Sequence, residues 1–80
     1  MNISQAVVLR IRQLCSDKGI SPNLLSRRSG LPSGTLKSIL NGESKNPGII
    51  AIKKLCDGFG LSLSEFFDSP LFQSRENPPL

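Results

Sequence analysis

The sequence predicts an all-α fold, a compact bundle of five short helices, on three observations. Apolar residues recur three and four apart in successive segments, cap residues and glycines punctuate those segments, and no stretch alternates apolar and polar long enough for a useful strand. Eighty residues make one domain with a modest core, and the only aromatics are four Phe, so Leu, Ile and Val must supply most of the packing. The domain is expected to occupy residues 1–69, with a frayed or flexible tail over 70–80.

The first helix starts at Asn2, an N-cap with Gln5 three residues on, and its apolar face carries Val7, Ile11, Leu14 and Cys15. It ends near Lys18-Gly19. In Ile20-Ser21-Pro22-Asn23, Ser21 caps a second helix and Pro22 fits the first helical position, where an N–H would have no partner. That helix runs to about Ser29 with Leu25 inward. Gly30 permits a left-handed turn, Leu31 plugs the corner, and Pro32-Ser33 opens a third helix through Leu40 with Leu36 and Ile39 inward. Asn41-Gly42 closes it, and Glu43 to Pro47 is polar, a surface loop. Gly48 is a permissive cap for a fourth helix with Ile49, Ile52, Leu55, Cys56 and Phe59 on one face, its end marked by Gly58 and Gly60. Ser62-Leu63-Ser64-Glu65 is a capping box for a short fifth helix carrying Phe66 and Phe67, and Asp68-Ser69-Pro70 stops it. Apart from Leu71 and Phe72, the tail is too polar to offset its ordering entropy.

Charge is divided along the chain. Residues 1–54 hold nine Lys or Arg against Asp17 and Glu43, whereas residues 55–80 hold Arg75 against four acids. A basic body with an acidic end suits a polyanionic partner on one face. Catalysis is not expected: there is no His, Cys15 and Cys56 fall at apolar helical positions, and the acids are scattered without metal-ligand spacing. No cofactor, metal or small-molecule substrate is implied. No apolar run approaches the roughly 18 residues of a membrane span, and no apolar leader is visible, so a cytoplasmic protein with free, buried thiols is expected.

The spacing that bears on function is Ser26, Gly30, Leu36 and Ile39. A small residue in one helix, a turn glycine four later, and apolar anchors six and nine beyond it make a helix-turn-helix pattern. Ser26 would let the third helix cross the second closely, while Leu36 and Ile39 would pin the third helix with its other face outward.

On these residues the chain resembles the phage-repressor and Cro-like, or XRE-like, helix-turn-helix family over about residues 3–68. The resemblance is carried by Gly19-Ile20-Ser21, Leu25-Ser26, Ser29-Gly30-Leu31, Thr35-Leu36 through Ile39, Asn41-Gly42, Asn46-Pro47, Leu55-Cys56 and Phe59-Gly60-Leu61-Ser62-Leu63. It implies a five-helix repressor-like domain and a sequence-specific DNA-binding transcriptional regulator, a repressor by first expectation, with the helix at about 33–40 in the major groove. The implied base readers are Ser33, Gly34, Lys37 and Ser38. Of these Lys37 is the strongest, because an ammonium can donate to guanine O6 and N7. Thr35, Asn41, Ser44, Lys45 and Asn46 are the implied contacts to the DNA backbone, which fix register without reading sequence.

The chain departs from the family in two respects. Pro22 stands where many members place a phosphate-touching Gln, and Cys15 and Leu40 stand where members often pair an Arg with a Glu. Losing both partners of such an ion pair for apolar groups can be neutral, whereas losing one cannot. A single small domain offers few base contacts, so a homodimer is expected, with recognition helices about 34 Å apart. Phe66, Phe67, Leu71 and Phe72 are candidates for the dimer contact, with closing the core as the alternative for Phe66 and Phe67. The other function class is a protein-interaction module of the same fold, an antitoxin-like or antirepressor partner.

Overall fold

The computed structural model describes residues 2–43 and 47–73, which form five α-helices, a closing 3-10 turn and no strand. The helices are α1 (Ile3–Lys18), α2 (Pro22–Ser29), α3 (Ser33–Leu40), α4 (Ile49–Phe59) and α5 (Leu63–Phe67), and the turn is Pro70–Phe72. The all-α expectation holds.

Local chemistry sets the helix starts. The Asn2 side chain accepts the Gln5 N–H at 2.9 Å and the Gln5 side chain accepts the Asn2 N–H at 3.0 Å, a complete capping box. Ser62 and Glu65 repeat it at α5, where the Ser62 N–H donates to the Glu65 carboxylate at 3.0 Å and Ser62 Oγ accepts the Glu65 N–H at 3.1 Å; hydrogen bonding by the Ser62 backbone first, then by its side chain, holds the Glu65 carboxyl below its ordinary pKa. Ser21 accepts the Leu24 N–H at 3.2 Å and Pro22 follows it directly.

Every helix contributes to one core. Val7, Ile11 and Leu14 of α1 meet Leu25 of α2, Leu36 and Ile39 of α3, Ile52, Leu55, Cys56 and Phe59 of α4, and Phe66 of α5. Ile20 and Leu31 fill the corners between helices. Two expected core residues fall short of it: Ile49 is 60% exposed and Cys15 is only half-buried. Helical side chains lean toward the N-terminus, so one at the first position of α4 projects past the start of the helix and not onto its neighbours. Both cysteines are free thiols whose pKa values are raised, by burial first, which disfavours thiolate.

Gly58 has a different role from the helix-end signal expected of it. The end is made by Gly60, at φ 74°, while Gly58 is buried inside α4 where that helix crosses α2. A Cβ there would lie 3.1 Å from the Cβ and backbone N of Ser29 and 3.2 Å from Leu25 Cδ1. The close crossing is therefore between α2 and α4, through Ser29 and Gly58.

Arg10 ties the last helix to the first. Its Nε donates to the Phe66 carbonyl at 2.7 Å and its Nη2 to the Glu65 carbonyl at 2.8 Å, which also accepts the Asp68 N–H, placing a cation on the C-terminal carbonyls of α5. Past residue 69 the 3-10 turn packs on α1 and brings the Phe72 ring edge-on to Phe67, with centroids 4.9 Å apart. Phe66 is completely buried, which removes it from the candidate dimer surface; Phe67, Leu71 and Phe72 are half-buried.

Candidate nucleic-acid interface

The turn between α2 and α3 is held by serine hydroxyls. Gly30 takes the left-handed conformation, φ 78° and ψ 6°, and its N–H donates to the Ser26 carbonyl. The Ser26 hydroxyl donates to the Leu31 carbonyl at 2.6 Å, the Ser29 hydroxyl donates to the Ser26 carbonyl at 3.3 Å, and Ser29 Oγ accepts the Leu31 N–H at 3.2 Å. Ser26 thus matters for its hydroxyl as well as its size, since its bond spans the corner that sets the direction of α3.

Leu36 and Ile39 bury one stripe of α3 to 2% exposure each, with half-buried Leu40 beside them. At helical spacing, positions 33, 37 and 41 form a row on another side. Ser33, Lys37 and Asn41 are all exposed, as are Gly34 and Thr35, whereas Ser38 is half-buried. The Asn41 N–H donates to the Lys37 carbonyl and its side-chain amide reaches the Glu43 carboxylate at 3.4 Å. Ser44, Lys45 and Asn46 lie outside the described residues.

Helices α1, α2 and α5 have side-chain caps, but α3 begins at Pro32 and α4 at Gly48, neither with a side-chain cap hydrogen bond. First-turn N–H groups have no helical acceptor, so the start of α3 is a donor surface suited to anionic or acceptor-rich partners. The surrounding sequence reinforces this: from Gly19 to Gly42 there is no Asp or Glu, against Arg27, Arg28 and Lys37. Both arginines are exposed in the last turn of α2.

The row on α3 forms one wall of a cleft of about 450 Å³, lined also by Gly34, Leu36 and Leu40, with Arg12, Pro22 and Asn23 on the other side. Of the expected site residues, Ser33, Gly34, Lys37 and Asn41 come together here; Thr35 and Ser38 do not line it. The sequence pattern alone does not point to Arg12 or Asn23. Arg12 lies one turn before Cys15, and its Nη2 donates to the Leu40 carbonyl at 2.8 Å. The link between α1 and the end of α3, absent as a Cys15 and Leu40 side-chain ion pair, is thus made from guanidinium to backbone. Arg12 is visible in sequence only as one basic residue among nine in the first 54.

Among the described residues no group of His, Cys, Asp and Glu is arranged to hold a metal ion, and no helix is long and apolar enough to cross a membrane. The family described as Cro/C1-type HTH DNA-binding domain matches residues 10–70. Comparisons with curated proteins and with solved structures give no significant match.

Proposed function

Since the chain belongs to the Cro/C1-type helix-turn-helix DNA-binding domain family, we propose that it is a sequence-specific transcriptional repressor that acts by binding in the cytoplasm and inserts α3 into the major groove. The supporting observation is the exposed row Ser33, Lys37 and Asn41 on a helix whose opposite side is fixed by Leu36 and Ile39. A major groove about 12 Å wide admits one α-helix, and an outward Lys37 can donate to guanine there. Ser33 and Ser38 read bases more weakly, Gly34 permits close approach, and Thr35, Asn41, Ser44, Lys45 and Asn46 hold the backbone.

The role assignment makes a differential prediction. Lys37→Ala should relax preference at one base position at a cost of about 1–3 kcal/mol, while Lys45→Ala should weaken binding to all sequences alike and flatten the salt dependence. Titrating both variants against a preferred and a random duplex over a range of salt checks this. Equal effects of the two changes on both duplexes would refute the assignment.

The repressor acts as a homodimer in this reading, with two α3 helices about one duplex turn, roughly 34 Å, apart. With Phe66 in the core, the C-terminal candidates left for a second copy are the half-buried Phe67, Leu71 and Phe72, while the large apolar residues exposed among the described ones are Ile3, Leu9, Ile49 and Ile50. Sedimentation should show two copies on DNA carrying paired half-sites; a strict monomer both free and on such DNA removes the dimer.

A further inference from the structure

We propose that Arg12, on a helix outside the helix-turn-helix, binds a DNA phosphate in the cleft between α1, α2 and α3, and so helps position the recognition helix. The proposal rests on the DNA-binding reading above and adds a residue to it.

Four observations support it. Arg12 is exposed and lines the same cleft as Ser33, Lys37 and Asn41. Its Nη2 is occupied by the Leu40 carbonyl, which fixes the guanidinium plane beside α3 while four of its five N–H donors stay available. Among the described residues no carboxylate lines the cleft with its two cations, Arg12 and Lys37; the Glu43 carboxylate beside it accepts from the Asn41 amide at 3.4 Å. Pro22, on the same rim, has no N–H to offer, which leaves Arg12 and Asn23 as the donors opposite α3.

The geometry favours phosphate over a base edge. Arg12 approaches from α1, across the cleft from the α3 row that reads bases in this account, and a guanidinium fork matches two phosphate oxygens. A phosphate seated there would be held from one side by Arg12 and Asn23 while Lys37 on the other wall meets the groove. Because Arg12 also caps α3, the phosphate and the recognition helix are held by one side chain.

Phosphate binding by Arg12 has a signature that a purely structural role lacks. Each neutralised phosphate contributes about 0.9 to the slope of log affinity against log salt. On a short mixed-sequence duplex, Arg12→Gln should lower the slope by about that amount and weaken binding roughly tenfold, without changing relative affinities among sequences. Arg12→Lys should keep the slope. Arg10→Gln is the control, since Arg10 is committed to the α5 carbonyls and does not line the cleft, and its slope should match the unsubstituted protein. Thermal melts of each variant report whether the fold is intact. If the unsubstituted protein binds and Arg12→Gln keeps its slope, or if Arg10→Gln lowers the slope as much, the Arg12 proposal is overturned and the DNA-binding reading stands. Failure of the unsubstituted protein to bind any duplex overturns both.

Discussion

Phe66→Ala should destabilise the domain by about 3–5 kcal/mol, the usual cost of emptying a buried phenylalanine site. Phe66 is fully buried, sits 5.0 Å centroid to centroid from Phe67 and 6.1 Å from Phe72, and lies under the α5 carbonyls that Arg10 grips. A chain of this length has a total stability of roughly 4–12 kcal/mol at 0.05–0.15 kcal/mol per residue, so the loss is a large share of it. Each kcal/mol shifts the melting temperature of a small domain by about 4–8 °C, and the expected fall is therefore tens of degrees. Urea unfolding checks it, and protein concentration separates the two roles the sequence left open. A core residue destabilises equally at every concentration; a dimer contact would give a loss that grows as the protein is concentrated and vanishes on dilution, and that outcome would contradict the packing described.

Gly58→Val should cost about 1–3 kcal/mol or more, as overpacking does, because the nearest obstacle to a new side chain is backbone. Ser29 N and Cβ lie 3.1 Å from where the first carbon would go, and neither can swing aside as a side-chain tip can. The sign is informative. In an exposed helix, replacing Gly gains helix propensity, up to about 1 kcal/mol for Ala, so a loss at position 58 reports the crossing and not the helix. The effect should also reach DNA: α2 pushed off α4 carries the Ser26, Ser29 and Leu31 hydrogen bonds that aim α3. Chemical denaturation and DNA affinity should both fall; an unchanged or raised stability would show that the helices separate without penalty.

Most of the fold was legible because short helices announce their ends. Asn2, Ser21 and Ser62 act as caps where the sequence put them, Gly30 takes its left-handed turn, and Leu36 and Ile39 are buried. What escaped was set by neighbours distant in the chain. Gly58 reads as a helix-end glycine until α2 is known to lie against it, and Ile49 reads as core until the start of α4 is seen to overhang the packing. The spacing shows why Ser26 is small, while its hydroxyl bond to Leu31 is visible only once the turn is built. Phe66 and Phe67 are adjacent and chemically identical, and pattern alone did not say which would be swallowed. At the candidate site, the Ser33, Lys37 and Asn41 row follows from helical spacing, but Arg12 reaches it from 28 residues before Leu40, a separation at which periodicity carries no information.

The most direct test of the account is to select bound sequences from a pool of random duplexes at fixed salt, with the unsubstituted protein and with Lys37→Ala in parallel. An α3 that enters the groove through Ser33, Lys37 and Ser38 should enrich a defined motif, and the variant should enrich the same motif with one position, a guanine contact, made degenerate. Binding that enriches no motif at all, or a motif untouched at every position by Lys37→Ala, would mean that the outward side of α3 does not read DNA.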